Sequence, residues 1–148
     1  MHERIKVKNL NDLKSFACDF FHTLEKGSTA KIILLSGDLG VGKTAFVKAF
    51  AQCLGINEEI TSPTFVIQKE YEINESDRKF KKMIHIDAYR LENRSELEYL
   101  AWKEIIANPE YIIFMEWPEQ VRGIQTPDAI RITMNILEDQ SREIILMR

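Results

Sequence analysis

The sequence has too little cysteine and too little excess charge for several classes of protein. Its two cysteines, Cys18 and Cys53, are too few for a disulfide scaffold, and neither has a partner at the spacing of a metal site. Both lie in segments with a helical pattern, so we predict two reduced core thiols. The 20 Lys and Arg residues against 23 Asp and Glu residues give a formal net charge of −3. This balance excludes a generally basic nucleic-acid binder.

Long hydrophobic runs are also missing. No apolar stretch approaches the roughly 20 residues that span a bilayer, and the segment from Met1 to Lys6 lacks the apolar core of a signal peptide. We therefore expect a cytoplasmic protein with no membrane partner. The 148 residues are near average in hydrophobic (45%) and charged (29%) content. This favours a single domain over residues 1–148, built around one core.

Helix and strand patterns alternate in the first third of the chain. Apolar residues recur at helical spacing in residues 12–26, with Asn11 as the expected N-cap and Gly27 as the expected stop. The continuous apolar run in residues 31–36 is typical of a strand buried on both faces of a parallel sheet. A glycine-rich turn and a second amphipathic helix, residues 43–54, follow it.

The later part of the chain adds strands. A capping box at residues 95–98 opens a helix that is expected to reach Ile106. Five further segments have strand patterns, namely residues 65–73, 79–87, 111–116, 129–136 and 142–147. The first two and the last two of these segments are expected to form hairpins. The whole pattern predicts an α/β fold with a mixed, largely parallel central sheet flanked by helices, with antiparallel hairpin additions.

The glycine-rich turn carries the strongest functional signal. Residues 37–44, GDLGVGKT, match G-x-x-x-x-G-K-[ST] completely, between a buried strand and a helix. Glycines let the backbone approach a phosphate, and successive N–H groups with the helix N-terminus attract the anion. We expect phosphate contacts from the loop and the start of the helix, at Asp38, Leu39, Gly40, Val41, Gly42, Lys43 and Thr44. The alternative is a turn that only joins the strand to the helix.

The same motif leaves open which nucleotide binds. GTPases of the translation-factor type carry an Asn-Lys-x-Asp motif that reads the base, and this chain has none. An Asp-x-x-Gly switch after the loop is also missing from the sequence. We therefore expect ATP and ADP, with Mg²⁺, as the cofactors.

Carboxylates at strand ends are the candidates for metal binding and catalysis. Asp87 ends one predicted strand and Glu116 another, where each could face the phosphates and hold Mg²⁺ or orient water. For both, a solvated strand end is the alternative. His85 shares a strand face with Asp87 and is a structural histidine, a proton donor or a contact for a partner. The segment 61–65, TSPTF, is either a loop that meets the nucleotide or an ordinary proline turn.

These motifs together resemble one family, TsaE, also called YjeE. The matching segments are GDLGVGKT (37–44), TSPTF (61–65), HIDAYRL (85–91) and EWP (116–118). The resemblance implies a P-loop ATPase that serves threonylcarbamoyladenosine modification of tRNAs reading codons that begin with A. It also implies two partner proteins, TsaD and TsaB, which act as a TsaB–TsaD pair. The chain would meet tRNA only indirectly, through that complex.

The resemblance assigns roles to residues already singled out. Lys43 and Thr44 would hold phosphate and Mg²⁺, and Glu116 is the expected Mg²⁺ ligand. Asp87 is the other catalytic carboxylate, either as a metal ligand or as a group that orients water.

The resemblance also extends the nucleotide site to two less obvious segments. The loop that ends at Thr64 resembles a switch, so Thr64 is expected at the nucleotide. The N-terminal segment near Asn11 is expected near the adenine.

The sequence leaves two other functions open. A small-molecule kinase uses the same phosphate loop, but no arginine-rich lid that would exclude water is evident. A nucleotide-dependent interaction module would bind ATP without hydrolysing it. No arginine finger in cis is evident either, so we expect an ATPase that is slow alone and stimulated by its partners.

Overall fold

The computed structural model of the chain describes residues 2–63, 67–74, 79–92, 94–98 and 100–148. This part of the chain forms one seven-stranded sheet with helices on both faces. The strands are β1 (His2–Val7), β2 (Lys31–Ser36), β3 (Gln68–Glu72), β4 (Lys82–Asp87), β5 (Tyr111–Glu116), β6 (Ile130–Ile136) and β7 (Arg142–Met147). The helices are α1 (Leu10–Thr23), α2 (Lys43–Cys53), α3 (Arg94–Glu98) and α4 (Trp102–Ile106), and a 3₁₀ helix spans Pro118–Val121.

The strand order is β1-β7-β6-β2-β5-β4-β3. The four central strands, β6, β2, β5 and β4, are parallel, and the outer pairs β1–β7, β7–β6 and β4–β3 are antiparallel. The central strands β2 and β5 are the continuous apolar runs, because a strand covered by helices on both faces buries nearly every side chain, and β4 follows the same pattern apart from the buried His85. The predicted mixed sheet with hairpin additions is confirmed.

Strand β2 divides the core into two layers. Ile33 and Leu35 point to the face covered by α1 and α2, while Ile32 and Leu34 point to the face covered by α3 and α4. Aromatic rings fill the first layer, where Phe50 packs edge-on against a β5 phenylalanine with 4.8 Å between the ring centroids. This packing fixes α2, and with it the loop that precedes α2, against the sheet.

Strand β1 was missing from the sequence prediction. Its six residues, HERIKV, carry only two apolar side chains, too few for a recognisable alternation. The strand forms because β7 offers an open antiparallel edge, with a register that runs from the His2–Met147 pair to the Val7–Arg142 pair. Charged outward residues suit such an edge strand, since they discourage pairing with other chains.

Helix α1 begins and ends earlier than predicted. Asn9, not Asn11, is its N-cap: the Asn9 side chain accepts from the backbone N–H of Asp12 at 2.9 Å, and the Asp12 carboxylate accepts from the N–H of Lys8 at 2.9 Å. At the other end Leu24 is already extended, so the helix stops at Thr23 rather than near Gly27.

The predicted helix over residues 95–106 is two short helices. Ala101 adopts a left-handed conformation with φ 57°, which separates α3 from α4. The break allows Leu97 and Trp102 both to face the core, where the Trp102 indole donates to the carbonyl of Gln125 at 3.0 Å. Tertiary burial therefore overrides the continuous helical pattern.

The two predicted hairpins are present. Strands β3 and β4 pair antiparallel, although β3 begins at Gln68 and β4 at Lys82, later than the patterns suggest. Most of the predicted turn between them lies outside the described residues. Strands β6 and β7 pair almost as predicted. Among the described residues, no helix is long and apolar enough to cross a membrane.

The prediction of two reduced thiols is wrong. Cys18 of α1 and Cys53 of α2 form a disulfide, with 5.5 Å between their Cα atoms and 35 residues between them in sequence. The sequence could not show this pair, because only the packing of α1 against α2 brings the two side chains together. The disulfide joins the two helices that cover one face of the sheet.

Reduction of this disulfide is expected to destabilise the fold. Closing a loop of 35 residues restricts the unfolded chain by about 3–4 kcal/mol. For a domain of this size that corresponds to a loss of about 10 °C in Tm. Thermal melts with and without reductant measure it, and a Cys18→Ser, Cys53→Ser double variant should melt alike in both. Equal melting of the oxidised and fully reduced native chain would contradict the expectation.

Candidate functional site

The glycine-rich loop joins the carboxyl end of β2 to the N-terminus of α2. Gly37, the first glycine, has φ 149°, and an added Cβ would lie 2.6 Å from the carbonyl oxygen of Met134 in β6. Gly42 has φ 118° and directly precedes the helix, where it leaves the first N–H groups of α2 without a side-chain cap. Unpaired N–H groups at a helix N-terminus form an anion site. The loop is therefore shaped as the sequence motif requires.

Lys43 is the first residue of α2 and is almost fully buried. Its ammonium donates to the carbonyl of Gly37 at 2.5 Å and to that of Asp38 at 3.2 Å, and lies 4.1 Å from the ring centroid of Trp117. Burial lowers the pKa of Lys43, while the negative charges of Glu116 and Asp87 raise it. The loop, the ring and the two carboxylates thus hold one cation in place.

Glu116 ends β5 and is buried at the base of the same site. The hydroxyl of Thr44 lies 3.1 Å from each of the two carboxylate oxygens and donates to them. The ring nitrogen Nε2 of His85 lies 2.5 Å from Oε2. Glu116 is therefore not a solvated strand end, which was one interpretation of the sequence.

Asp87 is the neighbour of Glu116 in the sheet. The two residues are register partners at the carboxyl ends of the parallel strands β4 and β5. Asp87 is also buried, and its Oδ1 accepts from the backbone N–H of Tyr89 at 2.9 Å. Parallel pairing therefore brings the two predicted carboxylates side by side at the carboxyl ends of the strands, which is where α/β proteins bind ligands.

A cleft of about 190 Å³ unites most of the predicted residues. Its lining includes Leu39, Gly40, Gly42, Lys43, Thr44, Asp87 and Glu116, together with Ser62 and Trp117. The other two predicted loop residues, Asp38 and Val41, do not line it. Asp38 is exposed and supplies its carbonyl to Lys43, and Val41 is buried on the far side of the loop.

A second cavity, of about 340 Å³, lies against the other side of the loop. Asn9, Leu10 and Leu13 of the α1 region line it, with Gly40 and Arg142 opposite. The predicted residue Asn11 is exposed in the first turn of α1 and lines neither space, although its segment does.

Thr64 lies outside the described residues. Of the loop before it, Ser62 reaches the cleft, and the Thr61 hydroxyl accepts from the ammonium of Lys69 in β3.

Arg142 is a site residue that the sequence analysis missed. Its guanidinium Nε donates to the carbonyl of Val41 at 3.2 Å, so the last strand braces the glycine-rich loop. The two residues are 101 positions apart. No local pattern around Arg142 signals this contact.

The donor set is suited to a metal that is shared with a phosphate. Within the described ranges, no group of three or more His, Cys, Asp and Glu residues could enclose a metal ion alone. Instead, the Thr44 hydroxyl and the carboxylates of Glu116 and Asp87 stand beside the phosphate loop. Mg²⁺ prefers such sites, because it takes one or two carboxylates, substrate phosphates and several waters.

Comparison with known proteins gives one consistent result. Residues 7–144 match the family "Threonylcarbamoyl adenosine biosynthesis protein TsaE". The tRNA threonylcarbamoyladenosine biosynthesis protein TsaE of Borreliella burgdorferi is 36% identical over 126 residues, covering 85% of this chain and 85% of that protein. Its namesake in Rickettsia prowazekii is 32% identical over 137 residues, covering 92% and 88%. The crystal structure of Bacillus subtilis YdiB aligns with TM-score 0.73 and 26% identity, over 99% of this chain and 84% of that one.

Proposed function

Because the chain belongs to the TsaE family of threonylcarbamoyladenosine biosynthesis proteins, we propose that it binds ATP with Mg²⁺ and hydrolyses it to ADP and phosphate in support of that tRNA modification. One observation carries the proposal. The glycine-rich loop, Lys43 and the Thr44–Glu116 pair converge on one cleft at the carboxyl ends of parallel strands.

The nucleotide is expected to lie across the loop. The backbone N–H groups of the glycine-rich loop and the ammonium of Lys43 suit the phosphates, except that the Val41 N–H donates to the Asp38 carbonyl at 3.1 Å. The cavity on the other side of the loop, with Leu10 and Leu13 on one wall and Arg142 on the other, suits the base. It is mainly apolar with a few polar groups, as ligand pockets usually are. We therefore propose that the Asn9–Leu10 segment, rather than Asn11 itself, lies nearest the adenine.

The Thr44 hydroxyl and Glu116 are the proposed magnesium ligands, with Asp87 bound to the ion or one water away. When bound, the ion neutralises charge on the transferred phosphoryl group. Asp87 and Glu116 also accept hydrogen bonds and would orient the attacking water. The water oxygen forms a bond to the γ-phosphorus, and the bond from that phosphorus to the bridging oxygen breaks, with its electron pair leaving on ADP. One proton of the water stays on the phosphate product and the other passes to solvent.

The TsaB–TsaD pair is the proposed partner, and tRNA would be met only through it, in the cytoplasm. Two large apolar side chains beside the cleft are exposed, Leu39 at 78% and Tyr89 at 48%. Tyr89 also packs on Trp117, with 5.1 Å between ring centroids. Exposed apolar groups next to a catalytic cleft suit a docked protein better than solvent. The loop of residues 61–63 adjoins the same rim through Ser62.

Loss of the Glu116 carboxylate is the test of the proposed chemistry. Glu116→Ala is expected to lower magnesium-dependent ATP hydrolysis on the order of 100-fold or more, since it removes a metal ligand. ATP affinity measured without metal should change little, because Lys43 and the loop remain. Phosphate release and calorimetry measure the two effects, and Glu104→Ala, an exposed carboxylate in α4, is the matched control.

Three other results would each contradict the proposal. Full hydrolysis by Glu116→Ala would remove Glu116 from the chemistry. Transfer of the phosphoryl group to a small acceptor instead of water would favour a kinase. ATP binding without any turnover, even with the partners present, would favour a nucleotide-dependent interaction module.

A further inference from the structure

His85 is a buried residue to which the proposed chemistry assigns no role. It lies in β4 with no exposed surface, two residues before Asp87 and on the same face of the sheet. It does not line the cleft, so its ring meets neither the nucleotide nor the attacking water. This geometry does not favour a proton donor to the reaction, which was one interpretation of the sequence. Its one described polar contact is with Glu116.

The direction of that contact follows from the chemistry of the two groups. A carboxylate that binds Mg²⁺ only accepts hydrogen bonds, so the proposed role of Glu116 requires the 2.5 Å contact to carry a proton on Nε2 of His85. Nδ1 is buried and has no hydrogen-bond partner among the described residues. The register partners of His85 are Phe114 in β5 and Lys69 in β3, and the ammonium of Lys69 bonds to the Thr61 hydroxyl. Burying a polar ring in the core costs free energy unless the ring makes a hydrogen bond.

Glu116 is held from two sides. Thr44 approaches from α2 and lies at equal distance from both carboxylate oxygens, while His85 approaches Oε2 from β4. The Thr44 hydroxyl is itself a proposed metal ligand, so the ion competes with Glu116 for it. No ligand competes with Glu116 for the His85 ring, because the ring lies outside the cleft.

We propose that His85 is a positioning residue, whose Nε2–H fixes the Glu116 carboxylate in the orientation required to bind Mg²⁺. The inference rests on the proposed role of Glu116 as a magnesium ligand. Donors that orient a ligating carboxylate commonly change metal affinity by about 10–100-fold when they are removed. His85 therefore acts on the metal through Glu116 and does not touch the nucleotide.

Two substitutions of equal chain length test the proposal. Glutamine carries an amide N–H near the place of Nε2, whereas methionine has similar volume and no donor. Titration of Mg²⁺ into the ADP-bound chain, followed by calorimetry, should show affinity reduced about 10–100-fold in His85→Met and largely retained in His85→Gln. Affinity for ADP without metal should be equal in all three proteins. Wild-type magnesium affinity in His85→Met would overturn the inference.

A double-mutant cycle separates positioning from general loss of structure. If His85 acts only through Glu116, then His85→Met should have no further effect on magnesium affinity in a Glu116→Gln background. The same loss in both backgrounds would overturn the inference. If the unmodified chain binds ADP but no Mg²⁺, the proposed function and the inference both fail. If it binds Mg²⁺ and His85→Met does not change that affinity, only the inference fails.

The unmodified ring offers a measurement that needs no His85 variant. Nitrogen NMR of the imidazole should show the proton on Nε2, with and without Mg²⁺ and ADP. Glu116→Ala should shift the Nε2 signal, while Glu104→Ala should leave it unchanged. A proton on Nδ1 in place of Nε2 would overturn the inference even if His85→Met does not fold.

Discussion

Replacing Lys43 by alanine is expected to weaken ATP binding by about 10–100-fold and to lower hydrolysis further, because hydrogen bonds between charged groups contribute about 1.5–3 kcal/mol. The ammonium is the point charge nearest the expected β- and γ-phosphates, and backbone N–H groups do not replace it. Calorimetric titration with ATP and steady-state phosphate release measure the two effects.

Lys48→Ala is the matched control for this change. Lys48 lies in the same helix, is exposed, and does not line the cleft. The loss of Lys43 also leaves the carbonyls of Gly37 and Asp38 without their donor, so circular dichroism must show that the variant is folded. A folded Lys43→Ala chain with unchanged affinity and turnover would remove the phosphate site from this loop.

The second large effect is expected when the partners are added. Hydrolysis by the isolated chain should be slow, because no arginine among the described residues lines the cleft. Arg142, the arginine that contacts the loop, is bonded to the carbonyls of Val41 and Gln140 and faces the other cavity. In related phosphate-loop enzymes an arginine supplied by a partner raises the rate by roughly 10³–10⁵.

Phosphate release with and without a purified TsaB–TsaD pair tests this expectation. ATP should favour docking, the pair should raise the rate, and Asp87→Ala or Glu116→Ala should abolish the rise. Tyr89→Ser, on the exposed rim but outside the cleft lining, should weaken docking while it leaves the basal rate unchanged. Fast hydrolysis by the lone chain that saturating partners do not alter would show that the site is already complete.

The parts of the fold that local sequence determines were predictable. Strand β2, helix α2 and strand β5 each have an apolar pattern that predicts them. The glycine-rich motif predicts a phosphate-binding type of loop between β2 and α2. These elements carry Lys43, Thr44 and Glu116, so the centre of the candidate site followed from the sequence. Strand pairing then placed Asp87 beside Glu116, because both residues end parallel strands.

The remaining features depend on contacts between distant residues. The Cys18–Cys53 disulfide requires α1 to pack on α2, and the bond from His85 to Glu116 requires the register of β4 on β5. Neither is visible in a periodicity. Asn9 rather than Asn11 is the N-cap because Asn9 and Asp12 exchange hydrogen bonds across the first turn. This signal is local, but the spacing of apolar residues does not show it.

The strand order also governs when the site can form during synthesis. Strand β1 is made long before β7, its one partner among the described strands, whose residues follow about 140 positions later. The carbonyl of Met134 beside Gly37 and the Arg142 contact with Val41 also come from the last two strands. A nascent chain that has made the glycine-rich loop, α2 and both carboxylates still lacks these supports. Synthesis must therefore pass Arg142 before the glycine-rich loop acquires its final contacts.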